Sequence, residues 1–334
     1  MKTSISIEGS RFLINGELTY KNCNPEAHGR LMNVRMVNTV FDDENPDTRP
    51  DGFDPEQNTD NFIKSMDQYR SKGILAFTVN LQGGLPGYEG AINTAFRSDA
   101  SLKREYMSRV SRVIEAADER GMIIILGLFY QRQDQILPDE DAIRKAAENA
   151  AGWVRDRGYT NIMIEIANEY RLKGFTSEYI KSEDGEVELM NIVKATAPEL
   201  IVSTGGMGDC LFHEKLCEAG DFILLHGNVS SPEIYEERIN SLKKYGKPIV
   251  FNEDWCFPDD PRGISDAVEK VTAAFDAGAS WGIMNETRNQ YYPFVFGIGD
   301  PEESENARAD FQVYETIARL VGMPARRENS EAGL

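Results

Sequence analysis

The chain has 334 residues, with 36 Lys and Arg against 55 Asp and Glu and a net charge of −19 at pH 7. A surface this negative repels phosphate, which argues against nucleic acid or an anionic membrane as a partner. At 41% hydrophobic, 27% charged and 10% aromatic, the chain has material for a large core and no disorder signature. No apolar run reaches the roughly 18 to 20 residues of a membrane helix, and residues 1–10 lack the apolar stretch of a signal peptide. The chain as given therefore reads as cytoplasmic, or as secreted or periplasmic if a leader was removed. Cys23, Cys210, Cys217 and Cys256 show no CxxC spacing and are too sparse for a disulfide framework, so free thiols are expected.

In chain order, residues 1–22 read as a β-hairpin. Ser4 to Ile7 alternates, Arg11 to Ile14 follows, and Asn15-Gly16 is a tight-turn signal before Glu17 to Tyr20. Short apolar runs then mark eight candidate strands, at 36–41, 75–80, 122–129, 162–167, 200–203, 222–226, 248–251 and 280–284. Between them lie helical stripes such as Met107, Val110, Val113, Ile114 and Ala117, or Ile264, Ala267, Val268, Val271, Ala274 and Phe275. Gly73, Gly121, Gly158, Gly220, Gly246 and Gly278 each stand between a helical pattern and the next strand, where a left-handed cap favours glycine. Ser231-Pro232 fits the matching start, an N-cap serine before proline at the first helical position.

Eight βα units whose strands are near-continuous apolar runs fit parallel strands buried on both faces. The expected fold is α/β, a (β/α)8 TIM barrel over residues 23–323, with the hairpin packed on it and a flexible tail at 324–334. An open doubly wound sheet usually carries a GxGxxG turn after its first strand, which is absent.

Barrel active sites lie at the C-terminal ends of the strands. Strand four ends Glu165-Ile166-Ala167-Asn168-Glu169-Tyr170 and strand seven ends Phe251-Asn252-Glu253-Asp254-Trp255, so both deliver an Asn-Glu pair to one rim. Two facing carboxylates are the minimum equipment for acid/base work and attack at a glycosidic carbon. By the strand's two-residue period Glu165 points the same way as Glu169, and is expected to be a buried structural carboxylate with a basic or amide partner.

These residues resemble glycoside hydrolase family 5, within clan A of the retaining glycosidases. Glu165 to Glu169 looks like the family's strand-four motif, and Lys247 to Glu253 is similar to the clan's strand-seven nucleophile motif. The resemblance implies that Glu169 is the acid/base, Glu253 the nucleophile and Asn168 the holder of the substrate 2-hydroxyl, and that His226 matches the strand-six histidine. Four positions depart from the pattern: Tyr170 replaces a proline, Asn228 replaces the tyrosine that contacts the nucleophile, Gln131 stands where many members have histidine, and Met284 stands where cellulases have a tryptophan platform. The clan assignment survives these changes; a cellulase label does not.

Sugar rings stack their C–H faces on aromatics. Among Tyr88, Phe129, Tyr130, Tyr170, Trp255, Trp281, Tyr291 and Tyr292, the candidates favoured for this are Tyr130, Trp255 and Trp281. Arg35, Asn38, Gln82 and Gln131 are expected to read hydroxyls, or, for Arg35, a carboxylate on an acidic sugar. The acidic run Asp42 to Glu44 reads as a loop rather than a hard-metal site, and Ser203 to Gly208 as the loop after strand five rather than a phosphate cradle. The expected partner is a carbohydrate, cleaved at a β-glycosidic bond with retention, with no cofactor and no metal. The alternatives are a barrel that binds glycan without cleaving it and a metal-dependent barrel hydrolase or isomerase. The segments 42–61 and 83–102 follow strands one and two and are expected to wall the cleft.

Overall fold

A computed structural model describes residues 1–83, 89–254 and 263–324. Tyr88, Trp255, Cys256 and nearly all of the expected tail lie outside them.

The chain opens with β1 (Ile5–Glu8), β2 (Arg11–Ile14) and β3 (Glu17–Leu18), joined antiparallel. Asn15 and Gly16 take φ of 53° and 77°, the left-handed pair that a tight hairpin turn needs. The expected hairpin is thus a three-stranded meander. Its place is the barrel floor. Thr3 N–H donates to the Asp118 carboxylate at 2.7 Å, Ile5 N–H donates to Thr160 O at 3.0 Å, and Phe12 packs its ring against Phe222 at 6.3 Å. Thr160 and Phe222 lie just before barrel strands, so the meander plugs the end opposite the strand C-termini.

The barrel strands are β4 (Asn33–Arg35), β5 (Ala76–Asn80), β6 (Ile123–Phe129), β7 (Ile162–Ala167), β8 (Ile201–Ser203), β9 (Ile223–His226), β10 (Ile249–Glu253) and β11 (Gly282–Ile283). Parallel pairing runs continuously from β11 through β4 to β8, and β9 pairs with β10. Two single parallel bridges, Gly205 to Leu224 and Val250 to Ser280, join these pieces. The ring of eight strands is therefore closed, with no free edge.

The outer layer comprises α1 (Pro55–Ser71), α2 (Arg104–Glu119), α3 (Glu140–Arg157), α4 (Glu183–Thr196), α5 (Glu214–Ala219), α6 (Tyr235–Leu242), α7 (Gly263–Ala277) and α8 (Glu305–Val321). The expected α2 stripe, from Met107 to Ala117, is buried against the sheet, and so are Ala267, Val271, Ala274 and Phe275 of α7. Asp54, Asp139, Ser182 and Ser304 cap their helices with side-chain oxygens. Among the described residues no helix is long and apolar enough to cross a membrane.

Three expectations change. The run 36–41 is not strand one. The strand is the polar Asn33-Val34-Arg35, and Val37–Val40 forms a buried 3₁₀ turn over the rim. A buried apolar run has no periodicity that separates strand from turn. Gly220 is not left-handed (φ −71°); a Cβ there would meet Phe222 O and Ser203 Oγ at 3.1 Å, so space rather than φ selects glycine. Pro232 opens a 3₁₀ turn leading into α6, and Ser231 makes no side-chain cap.

Candidate active site

The site is built where β7, β9 and β10 end, on the face opposite the meander. On β10 the pairing skips a residue: Phe251 is opposite Leu225, and Glu253 is opposite His226. This bulge at Asn252 turns Glu253 to the mouth beside His226, a common use of bulges at functional sites. The next residue, Asp254, faces the helix layer, where it bonds Tyr235, Trp281 and Lys270. On β7 Glu165 is fully buried inside the barrel. Glu169 emerges two residues past the strand with φ of 45°, a left-handed conformation costing a non-glycine residue of order 1–2 kcal/mol. Glycines make room for these acids. A Cβ on Gly205 would lie 2.6 Å from Glu165 Oε1, and one on Gly208 would lie 3.4 Å from Glu169 Oε1 and 3.1 Å from Asn228 Cβ.

One carboxylate oxygen each of Glu169 and Glu253 and a ring nitrogen of His226 all lie within 4.8 Å of one another. His226 Nδ1 is 3.5 Å from Glu169 and 3.8 Å from Glu253, and its Nε2 is 3.7 Å from Glu165. Burial alone would lower the imidazole pKa, but Glu253, Glu165 and Glu169 push it up to about 10, so the ring is a cation at neutral pH. Arg35 is the second cation. Its Nε forms a 2.7 Å ion pair with Glu253 Oε2 that lacks hydrogen-bond alignment, and its Nη1 donates to Glu165 at 3.2 Å. Its Nη2 donates to Asn168 Oδ1. Asn228 Nδ2 donates to Glu253 Oε1 at 2.8 Å.

The shifts follow from these contacts. Burial raises Glu165, but Arg35 and His226 outweigh it and hold that carboxyl below its ordinary value. Glu253 sits above its ordinary value because burial and Glu169 together exceed the pull of His226, Arg35 and Asn228. Three carboxyls and two cations are electrically balanced when one proton is shared among the acids. With Glu165 held low, that proton belongs to the Glu169–Glu253 pair. The same atoms are spaced to hold a metal ion, but Arg35 and His226 already supply the charge that an ion would bring.

The structure brings together Glu169, Glu253, Asn168, His226, Arg35, Asn228 and Tyr130. Tyr130 is buried against Val37, and burial, then the Glu253 charge, holds its phenol above the ordinary range. Asn168 Nδ2 donates to Gln131 Oε1 at 3.0 Å, which links the strand-three departure to the site. Asn228 occupies the tyrosine position and supplies a donor to Glu253, so that departure keeps the nucleophile contact. Glu165 is the buried carboxylate expected, with Arg35 as its basic partner.

Several roles are corrected. Trp281 does not face the mouth: it is fully buried between sheet and helices, and its indole N–H donates to Asp254 at 2.8 Å. Gln82 donates to Thr94 Oγ1 and Gln133 O and accepts from Tyr130 N–H, so it fixes the rim rather than reading hydroxyls. Asn38 is likewise spent on the carbonyls of Asn289 and Gln290. Arg35 is enclosed by Glu165, Glu253 and Asn168, which leaves no fork for a sugar carboxylate. Phe129 and Tyr170 are buried. The Asp42 to Glu44 run pairs with Arg49, Arg109 and Lys103 and pins residues 90–93, joining the two wall segments.

Sequence reasoning missed the barrel-lining Asn252, whose Nδ2 donates to Thr78 at 3.3 Å, and the glycines at 205 and 208. Three glycines in six residues were a visible signal, since close approach of a backbone to a charged group favours glycine. The cluster of Asp254, Lys270, Tyr235 and Trp281 had none, because its members are scattered along the chain.

A search of curated proteins found no sequence match. The fold is shared with a glycoside hydrolase family 5 enzyme from Prevotella bryantii B14, at TM-score 0.60 and 13% identity over 87% of this chain and 96% of that one. It is also shared with an endo-β-1,4-mannanase from Thermotoga petrophila, at 0.59 and 17% over 90% and 78%, and with a β-glucanase from Saccharophagus degradans solved with cellotetraose, at 0.59 and 12% over 94% and 93%. The family model described as cellulase (glycosyl hydrolase family 5) matches residues 33–287. That span runs from the first barrel strand to just past the last, and the chain is therefore a glycoside hydrolase belonging to family 5.

Proposed function

We propose that the protein cleaves a β-glycosidic bond in an oligo- or polysaccharide by double displacement, with retention. The observation that carries this is the approach of Glu169 and Glu253 to within 4.8 Å. An inverting pair needs roughly 6.5–9.5 Å to seat a water, whereas attack by the carboxylate itself uses about 5–5.5 Å.

Glu253, ionised against Arg35 and Asn228, attacks the anomeric carbon, while Glu169 gives its proton to the departing oxygen. Esterification removes the Glu253 charge. Glu169, now a carboxylate near the His226 cation, then takes a proton from water, which attacks the glycosyl-enzyme and restores Glu253. Asn168, held by Arg35 and Gln131, holds the 2-hydroxyl, a contact that strengthens as oxocarbenium charge develops. Tyr130 lines the same mouth.

The substrates named for the structural neighbours, β-1,4-mannan and β-glucan with cellotetraose, make β-linked glucans and mannans the first panel. The test is hydrolysis of aryl β-glucosides and β-mannosides and of the polymers by the parent, Glu253→Ala and Glu169→Ala. Turnover should collapse in both variants, and azide should restore the Glu253→Ala reaction. Unchanged turnover in either variant would refute the assignment.

A further inference from the structure

Glu186 is a buried acid that the reaction does not use. It sits on α4 behind the ends of β7 and β8, fully enclosed. Its Oε2 is hydrogen-bonded to Thr204 Oγ1, while Oε1 has no partner. No basic side chain pairs with it among the described residues. The titratable groups facing it are Glu165 from β7 and Tyr170 from the following loop. Burial, with Glu165 adding, outweighs the Thr204 bond and pushes this carboxyl up to about 8.

Thr204 is also 3.3 Å from both the N–H and the carbonyl oxygen of Ala167, the last residue of β7. Asn168 and the left-handed Glu169 follow directly. A hydroxyl has one proton to give. A neutral Glu186 donates to Thr204 Oγ1, which frees the threonine proton for Ala167 O. An ionised Glu186 can only accept, so the threonine proton turns to it and leaves Ala167 O with the Gly205 N–H alone, at 2.9 Å.

We propose that Glu186 is a positioning residue: as a neutral acid it sets the Thr204 hydroxyl to hold the strand end that presents Asn168 and Glu169, and loss of its proton releases that hold. The consequence for turnover rests on the proposed function; the protonation state does not.

The experiment therefore has two readouts on the parent, Glu186→Gln and Glu186→Ala. The first is Tm against pH. A carboxyl whose pKa rises from about 4.5 to about 8 on folding stabilises the fold most below 4.5, and that stability is lost as pH rises through 8. The Tm of Glu186→Gln minus that of the parent should therefore climb across this window and level off above it. The second is kcat against pH on a dinitrophenyl β-glycoside, whose leaving group needs no proton. The parent should lose about tenfold per pH unit above 8, Glu186→Gln should hold its rate there, and Glu186→Ala should be slow throughout, with KM unchanged in all three. A pH-independent Tm difference would overturn the neutral acid even if no turnover were found. A climbing Tm difference with identical alkaline limbs would overturn the positioning role.

Discussion

Strand β10 ends in two adjacent acids that face opposite ways, and both are buried among cations and hydrogen-bond donors. Glu253 looks into the mouth and Asp254 into the helix layer. Behind the sheet the cluster is closed: Asp254 takes Tyr235 and Trp281 on one oxygen and Lys270 at 3.1 Å on the other, and none of these polar atoms is left without a partner. In the mouth Arg35 Nε, Glu253 Oε2, Asn228 Oδ1 and both His226 nitrogens lack aligned hydrogen bonds. Buried polar groups are ordinarily satisfied, and the exceptions mark function. The incomplete side is the one prepared for a substrate; the saturated side holds it still.

Substitutions should separate the two sides, kcat responding in front and stability behind. The largest effect is loss of Glu253 or Glu169, which abolishes turnover of unactivated substrates while Tm, read by calorimetry, stays near or above that of the parent. Arg35→Met is next. It strands Glu165 and Glu253 without their cation, which should cost about 3–5 kcal/mol in chemical denaturation and remove activity at neutral pH. Lys270→Met leaves Asp254 unpaired and should also cost about 3–5 kcal/mol, yet the fraction that stays folded should turn over at close to the parent rate. An equal loss of kcat per folded molecule in Lys270→Met would erase the distinction. Trp281→Phe removes one donor from Asp254, a cost of about 1–3 kcal/mol. Its KM for oligosaccharides should not move, whereas a sugar platform at Trp281 would raise KM.

The charge balance in front adds a pH dependence. His226 has its pKa raised from 6.5 to about 10 on folding, so its contribution to stability is full below 6.5 and is lost as pH rises through 10. Denaturation of the parent should show this fall, and His226→Asn should lack it.

The barrel was legible because its evidence is repetitive: helical stripes, apolar strands, and a glycine between them recur along the chain. The two Asn-Glu strand ends were legible for a related reason, since a strand's end and a two-residue period place a side chain without knowledge of its neighbours. What was not legible depends on the third dimension. Trp281 and Trp255 stand at similar strand ends, and nothing in the sequence separates a mouth-facing indole from one packed behind the sheet; Trp281 proved to be the latter. Arg35 was recognised as a rim residue, but its engagement with Glu165, Glu253 and Asn168 requires β4, β7 and β10 to meet across the barrel axis. The strand-one error has the same origin: burial of residues 36–41 comes from the turn over the rim, and an apolar run carries no record of which neighbour buries it.

The most direct test of the two-glutamate account is the configuration of the first product, followed by proton NMR as the parent hydrolyses an aryl β-glucoside or β-mannoside. Double displacement through Glu253 predicts that the β-anomer of the released sugar appears first and then mutarotates. Initial appearance of the α-anomer would mean single displacement by water and would contradict the nucleophilic role assigned to Glu253.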